Sequence, residues 1–432
     1  MSRQAAPACA GQPSPAWVGW LGALLVAGSF SQAAYALHPR KGPFVGYLEG
    51  AAVVVVLVWG LWVIASGRLR VLRWPPWPAW AFLALACLSL GGAVSVKTGV
   101  VEVAQYALYF LVLYVFFADA FAGRPWLAVK GLLVGAGVAA GMALGQLLAG
   151  AAPMDVRGLA GSRNVHSALL AVVLPLLWVP ACAWWPRSRY WLATVGLSLA
   201  AVTMLGPPHV WVALAAMAWV AGAVAGANWW KAMLPIGAVV VLVNFASPLH
   251  RACNVDEFMN PWETGDVYKL LKEAGVPQPV ALVKKRWLEW YPALAMIADR
   301  PLLGVGAGNY QLNIGRAEYW GYLPNAKKTE PDTNNLYLVV GGSVGLAGLA
   351  GLLALVAYHV RIVRRRVEDG DVLATGLAAS LAVSLVANVF TALLVRGAAV
   401  GWVALLALAT LCDEQRERKP DSEGTGSCRE GR

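Results

Sequence analysis

Long apolar stretches, separated by short polar connections, run through most of the chain. A helix needs about 20 apolar residues to cross the roughly 30 Å hydrocarbon core of a bilayer. About twelve stretches approach that length, with approximate bounds 17–37, 47–66, 76–96, 100–118, 127–149, 166–184, 190–206, 209–227, 230–247, 334–359, 373–392 and 397–412. The pattern predicts an all-α, polytopic integral membrane protein. Only Gly206-Pro207-Pro208 separates 190–206 from 209–227, so one broken span there is the alternative.

One polar interval interrupts this pattern and sets the domain organisation. It divides the chain into N-terminal membrane helices at 1–248, a loop at 249–333, C-terminal membrane helices at 334–412 and a charged tail at 413–432. The tail has the composition of a disordered segment. Apolar residues recur at helical spacing between Val280 and Ile297, which predicts a short amphipathic helix within the loop.

Composition and charge agree with a membrane protein. The 432 residues are 59% hydrophobic and 13% charged, which excludes an ordinary soluble domain. Arginines gather in short connections that twelve spans put on one side with both termini: Arg68, Arg70, Arg73, Arg187, Arg189, Arg361, Arg364, Arg365 and Arg366. That side is predicted to be cytoplasmic, which puts the 249–333 loop outside the cell membrane, away from ATP. The net charge of +11 fits either this bias or attraction to lipid phosphates.

Two arginines flank a glycine-containing connection on the predicted outer side. Arg157 and Arg163 lie between two spans, around Gly158 and Gly161. A guanidinium binds two phosphate oxygens through its forked donors, so a diphosphate head group suits this pair. The alternative is that they reach lipid head groups or pair with Asp155.

The polar loop adds further anion-binding candidates. Arg286 lies on the amphipathic segment, where Glu289 could orient it towards a phosphate, although a surface ion pair is the alternative. The glycine-rich run that contains Gly306 and Gly308 could present backbone amides to an anion. Such glycines also serve simply to allow a tight turn. The six cysteines are scattered, and neither a disulfide framework nor a metal site is predicted.

Several segments, taken together and in order, resemble the O-antigen ligase and polymerase superfamily. They are Gly161–His166 leading into Leu174-Pro175, Arg286 with Trp290, Pro301–Tyr310, Thr333–Leu338 and Gly342–Leu346. The motifs cover roughly 155–360, and the predicted topology extends the resemblance over the rest of the chain.

The resemblance implies a metal-independent enzyme without cofactors at the periplasmic face of the bacterial inner membrane. Such enzymes transfer a glycan from undecaprenyl diphosphate to an acceptor, for example lipid A-core or another envelope glycan. External arginines hold the diphosphate, a role that would fall to Arg157, Arg163 and Arg286. His166, Gly306 and Gly308 are further candidate substrate contacts. Membrane lipids are expected partners, and nucleic acid is not.

The chain departs from the family where a histidine is expected after the long loop, because Asn334-Asn335 stands there. An amide does not accept a proton, so the base is assigned to Asp332 or His209, with Asn334 orienting the acceptor. His209 follows Pro207-Pro208 in place of the family's Ser-Arg turn, and as the alternative it is an ordinary interfacial residue.

Other functions fit parts of the pattern. A polysaccharide polymerase of the same superfamily, a catalytically inactive relative and a transporter for a lipid-linked sugar or an anion remain alternatives. Apart from histidines, the charged residues within the predicted spans are Glu49, Glu102, Lys130 and Lys231, each near an end. Coupled transporters usually bury such groups in mid-span, which counts against that class.

Overall fold

The structure is a computed structural model. It describes residues 13–31, 34–36, 44–151, 156, 158–160, 163–183, 189–205, 209–226, 230–231, 233–234, 237–238, 284–314, 316, 319, 334–394 and 396–417. At some helix ends, including Arg163, His209 and 284–289, it describes the backbone alone.

Before the polar interval the structure gives the bounds of nine helices, and further described helical residues lie at 230–231, 233–234 and 237–238. The nine helices are α1 Ala16–Gly28, α2 Tyr47–Ala65, α3 Trp77–Ser89, α4 Val96–Ala107, α5 Tyr114–Ala120, α6 Pro125–Leu148, α7 Arg163–Ala183, α8 Arg189–Leu205 and α9 His209–Ala225. A π-helical segment, Leu108–Leu113, joins α4 to α5 in one continuous rod. Short 3₁₀ turns lie at Arg68–Val71, Leu90–Gly92 and Gly158–Ala160.

Five more described helices follow. Two lie within the predicted loop, α10 Lys284–Asp299 and α11 Tyr310–Asn313, and three come after it: α12 Leu336–Glu368, α13 Val372–Phe390 and α14 Arg396–Glu417. Five segments are long and apolar enough to cross a membrane by length and composition: 47–65, 96–120, 125–148, 336–368 and 372–390. Shorter apolar helices, such as Ala16–Gly28, accompany them. The count of twelve spans stays a prediction.

Two helix boundaries can be compared directly with the predicted bounds. The chain forms separate helices α8 and α9 on either side of residues 206–208, which confirms two helices there. The predicted 17–37 helix is wrong at its end, because α1 stops at Gly28. There the Ser29 hydroxyl donates to the Val26 carbonyl (2.7 Å), a local bond that competes with helix continuation. Beyond it, β1 Ala34–Ala36 pairs antiparallel with β2 Phe44–Gly46, a small exception to the all-α prediction.

The helices pack through small residues and leave apolar faces outward. Gly131 and Gly135 of α6 lie against the backbone of Ala23 and Ala27 in α1, so these two helices run parallel at close distance. By contrast, α2 turns a strongly apolar face outward, including Leu61 (69% exposed) and Ile64 (63% exposed). An exposed apolar face of this extent suits lipid rather than water.

One end of the bundle is marked by an ion pair. Arg68, just after α2, lies 3.3 Å from the Asp119 carboxylate at the end of α5. The same carboxylate accepts a hydrogen bond from Trp59 Nε1 (2.9 Å), and Ser14 before α1 donates to the Asp119 carbonyl (2.9 Å). We call this end the Arg68 face.

The opposite end gathers the residues that begin α4 and end α1. The continuous α4–α5 rod runs from Ser95 to Asp119, so Ser95 lies at the end away from Asp119. Asn309 of the polar interval accepts a hydrogen bond from the Ser95 amide (2.7 Å). Gly397, at the start of α14, packs against the Ser31 carbonyl after α1. We call this end the Ser95 face.

Helix directions assign the remaining elements to these faces. His359 in α12 contacts Tyr114 of α5, so α12 runs towards the Arg68 face and begins at the Ser95 face. Gly376, early in α13, packs on Leu176 and Val179, late in α7. Because α13 starts where α12 ends, α7 ends at the Arg68 face and begins at the Ser95 face. Short links then reverse α8 and α9, so α9 also begins there.

A break in α12 is filled by the loop that follows α10. Gly345 has φ 82° and ψ 175°, which interrupts the helix. Across the break, the amides of Leu346 and Ala347 cannot reach their usual helical acceptors, the carbonyls of Gly342 and Ser343. They bond instead to the carbonyls of Pro301 (2.7 Å) and Leu302 (3.4 Å).

The two carbonyls left over are satisfied from the same loop. The Val305 amide donates to Gly342 and the Gly306 amide to Ser343, both at 2.9 Å. Two lost helical bonds are thus replaced by four bonds to residues 301–306. In a water-poor environment unpaired backbone groups cost several kcal/mol each, so this exchange permits the break.

Gly345→Ala is expected to destabilise the protein. The left-handed φ costs a side chain about 1–3 kcal/mol, and the added Cβ would overlap the Leu302 carbonyl. Thermal unfolding of purified protein in detergent measures the effect. Gly141→Ala is the control, because Gly141 lies in α6 with open space around its Cα. Equal melting temperatures for the two variants would contradict the packing described here.

Candidate functional site

The loop between α10 and α11, residues 300–309, also ties the polar interval to the α3–α4 connection. Asn309 is fully buried, accepts from the Ser95 amide (2.7 Å) and donates to the carbonyls of Ser95 (3.2 Å) and Ala307 (2.8 Å). The Ala307 amide donates to the Ser89 hydroxyl (3.0 Å). Arg300 reaches the Gly92 carbonyl through one guanidinium nitrogen (2.8 Å). This loop therefore holds α12, α10 and the start of α4 together at the Ser95 face.

The glycines of this loop are needed for close approach. Gly306 has φ 101°, and a Cβ there would come within 2.7 Å of Ala93 Cβ. Its amide donates to the Ser343 carbonyl (2.9 Å), and an anion contact at Gly306 stays a prediction. Gly308 has φ 67° and lies against the Thr98 carbonyl, 2.7 Å from where a Cβ would stand. An anion contact at Gly308 stays a prediction, while close packing already explains the glycine.

The asparagine pair before α12 divides into two backbone roles. Asn335 is the N-cap, and its side-chain oxygen accepts from the Leu338 amide (3.2 Å). Asn334 is half-buried and has φ 48°, the one left-handed non-glycine among the described residues. Asparagine tolerates this conformation better than most residues, which gives position 334 a conformational reason for its identity. Its orienting role towards an acceptor stays a prediction.

His166 lies in the first turn of α7, under the Gly158–Ala160 turn. The ring has 0% exposure, and neither nitrogen has a hydrogen-bond partner within the described part of the chain. Gly158, with φ 53°, rests so closely on it that a Cβ would be 2.5 Å from Nδ1. Its amide is held by the Gln146 side chain (3.0 Å) at the end of α6. Among the titratable candidates from sequence, His166 is the one whose side chain the structure describes.

Three other candidates are located by backbone alone. Arg163 is the first residue of α7 and His209 the first of α9, and both helices begin at the Ser95 face. Arg286 is on α10, about three turns before Ile297, which packs against Gly341 of α12. Arg157 and Asp332 lie outside the described residues. That all these side chains surround one cavity stays a prediction.

Sequence reasoning assigned no role to Arg300, which is 47% exposed in its side chain beside Asp299 (3.6 Å). Tyr319 in turn donates to the Asp299 carboxylate (3.1 Å). The arginine is an additional half-exposed cation at the Ser95 face. Its position before the glycine-rich run was the available signal, but nothing in that run predicts a bond to Gly92.

No protein-family model matches the chain, and no curated protein matches it either. Within the described part of the chain, no three His, Cys, Asp or Glu side chains come together as metal ligands would.

Asn309→Ala is expected to loosen the loop at the Ser95 face. The change removes three hydrogen bonds and leaves the Ser95 amide unsatisfied, at a cost of about 1–3 kcal/mol. Thermal unfolding and the rate of proteolytic cleavage within 300–335 measure the effect. The neighbouring exposed Gln311→Ala serves as the control. A cleavage rate that rises equally in both variants would show that Asn309 does not hold the loop.

Proposed function

We propose that the protein transfers a glycan from undecaprenyl diphosphate to an acceptor at the periplasmic face of the bacterial inner membrane, as O-antigen ligases do. The observation that supports this most is the common position of three helix starts. Arg163 begins α7, His209 begins α9 and Asn334 precedes α12, and all three helices begin at the Ser95 face. Residues far apart in sequence are thereby available to one substrate.

The chemistry that this proposal requires falls to the charged candidates. Cleaving the bond between a sugar and diphosphate leaves negative charge on the phosphate oxygens. Fixed cations at those oxygens lower the barrier, which is the role proposed for Arg157, Arg163 and Arg286. The acceptor hydroxyl must lose its proton as it attacks, and Asp332 or His209 is the candidate base from sequence. Asn334 would orient that hydroxyl.

The orientation follows from the charges at the opposite end. Arg68 marks one face of the bundle, and the helix end that carries Arg361, Arg364, Arg365 and Arg366 lies on the same side. Positively charged connections favour the cytoplasm, so the Ser95 face is proposed to be periplasmic. In this orientation, undecaprenyl-linked glycans lie on the same side of the membrane as the first residues of α7, α9 and α12.

Arg286→Ala should reduce release of undecaprenyl diphosphate by about 100-fold or more, because one fixed charge at the leaving group is lost. The assay uses purified full-length protein, a glycan on undecaprenyl diphosphate and a candidate acceptor. Arg364→Ala is the matched control, since Arg364 is exposed at the other end and pairs with Glu368 (3.0 Å). Undiminished turnover by Arg286→Ala would remove this residue from the site. Movement of intact lipid-linked glycan across liposomes without cleavage would favour transport instead.

The proposed orientation predicts opposite labelling of two positions. In a variant with its native cysteines replaced by serine, Lys97→Cys at the start of α4 should react with a membrane-impermeant maleimide on spheroplasts. Glu368→Cys should react only after lysis. Both side chains are exposed, so access to the reagent depends on the membrane face. The reverse pattern would place the Ser95 face in the cytoplasm.

A further inference from the structure

Two buried histidines in this protein are satisfied very differently. His359 in α12 has 0% exposure, and its Nδ1–H donates to the Leu355 carbonyl (2.7 Å) while Nε2 accepts from the Tyr114 hydroxyl (3.0 Å). His166 in α7 is equally buried, yet both of its ring nitrogens lack a partner among the residues that the structure describes. The same side chain thus appears once as a completed structural group and once with its bonding capacity unused.

An unused imidazole in the interior is costly. A buried polar group without a partner costs about 1–3 kcal/mol, and most buried polar side chains avoid it. A leucine or methionine could fill the same volume without that cost. A ligand that forms a hydrogen bond with His166 during the reaction would explain why this position is a histidine.

The location of His166 points to the ligand. Side chains in a helix lean towards its N-terminus, so the ring lies beside the first turn of α7, which begins at the Ser95 face with Arg163. Gly158, with φ 53°, lies against the ring and is one of the contacts that bury it. Ala160 of the same Gly158–Ala160 turn is itself buried and Leu159 packs against the apolar core, so a movement of the turn off the ring would also move these two side chains.

We propose that His166 is the base that accepts the proton of the acceptor hydroxyl once the Gly158–Ala160 turn moves off its ring. This inference rests on the proposed function and assigns the base to His166 rather than to Asp332 or His209. A neutral imidazole has one nitrogen with a free lone pair and one N–H, which fits the two unused positions.

The step balances without another reactant. The hydroxyl O–H bond breaks, and its proton passes to the lone pair of a His166 nitrogen. The oxygen forms a bond to the anomeric carbon while the bond from that carbon to the diphosphate oxygen breaks. Undecaprenyl diphosphate leaves with the electron pair, and the imidazolium later returns its proton to solvent or to the departing phosphate.

The test compares single variants of the full-length protein in the undecaprenyl diphosphate release assay. His166→Gln is expected to lower kcat by about 100-fold or more, with KM for the donor unchanged. Asp332→Asn and His209→Gln should each lower kcat by less than His166→Gln does, and the exposed Gln311→Ala should leave kcat unchanged. Added imidazole should restore part of the activity of His166→Ala, which a purely structural role for the ring would not allow.

His359→Gln is the matched control, because it makes the same substitution at another buried histidine. It loses two hydrogen bonds and should melt earlier than wild type, whereas His166→Gln loses none and should melt close to wild type. If His166→Gln fails to fold, inactivation of the wild type by diethyl pyrocarbonate gives the second measurement. Loss of activity should then follow carbethoxylation of His166, located by mass spectrometry, and not that of His209.

The outcomes separate the two proposals. Release of undecaprenyl diphosphate by the wild type, with unchanged kcat in His166→Gln, would overturn the assignment of the base and leave the transferase standing. Loss of activity that follows carbethoxylation of His209 alone would also overturn the assignment of the base to His166. A wild type that releases no undecaprenyl diphosphate would overturn the transferase and this assignment together.

Discussion

The hydrogen bonds that a broken helix leaves unpaired are the constraint on which this architecture depends. At Gly345 the α12 helix stops being a helix, and four backbone groups lose their partners. Residues 301–306 supply all four replacements. Since unpaired backbone groups are hardly tolerated at membrane depth, the break and the loop need each other. A loop with an irregular backbone can lie among apolar helices here because it bonds to a helix that is itself incomplete.

That exchange also explains how a long polar interval is attached to the bundle. The loop continues to Asn309, which bonds to Ser95 at the start of α4, and Arg300 reaches the end of α3. The interval is thereby anchored at its centre, between two stretches that the structure does not describe. The helix with Arg286 leads into this anchor, and Asn334 stands directly before the cap of α12, the helix to which the anchor bonds. The position of both candidates is therefore set by backbone contacts of the loop between them.

Local sequence pattern predicted the features that depend on local physics. Apolar length predicted most of the helices, and Gly206-Pro207-Pro208 predicted the separation of α8 from α9, because proline and glycine act on their own backbone. The insertion of the loop into α12 joins groups about 40 residues apart, and no periodicity reports such a pairing. The bond from the Gly306 amide to Ser343 is therefore not visible in the sequence. A glycine that allows close packing and one that exposes an amide look the same in a sequence.

The two buried histidines, His166 and His359, show what the structure reveals that the sequence pattern does not: the hydrogen-bond partners of each ring. His166 and His359 both stand in apolar helices, and sequence alone gives no means of telling a completed imidazole from an unused one. The difference lies in their neighbours: Tyr114 and the Leu355 carbonyl meet His359, while a glycine turn covers His166. The first arrangement joins α5 and α12 with a fixed pair of bonds. The second leaves both nitrogens of a fully buried imidazole without a partner among the described residues, in the first turn of the helix that begins with Arg163.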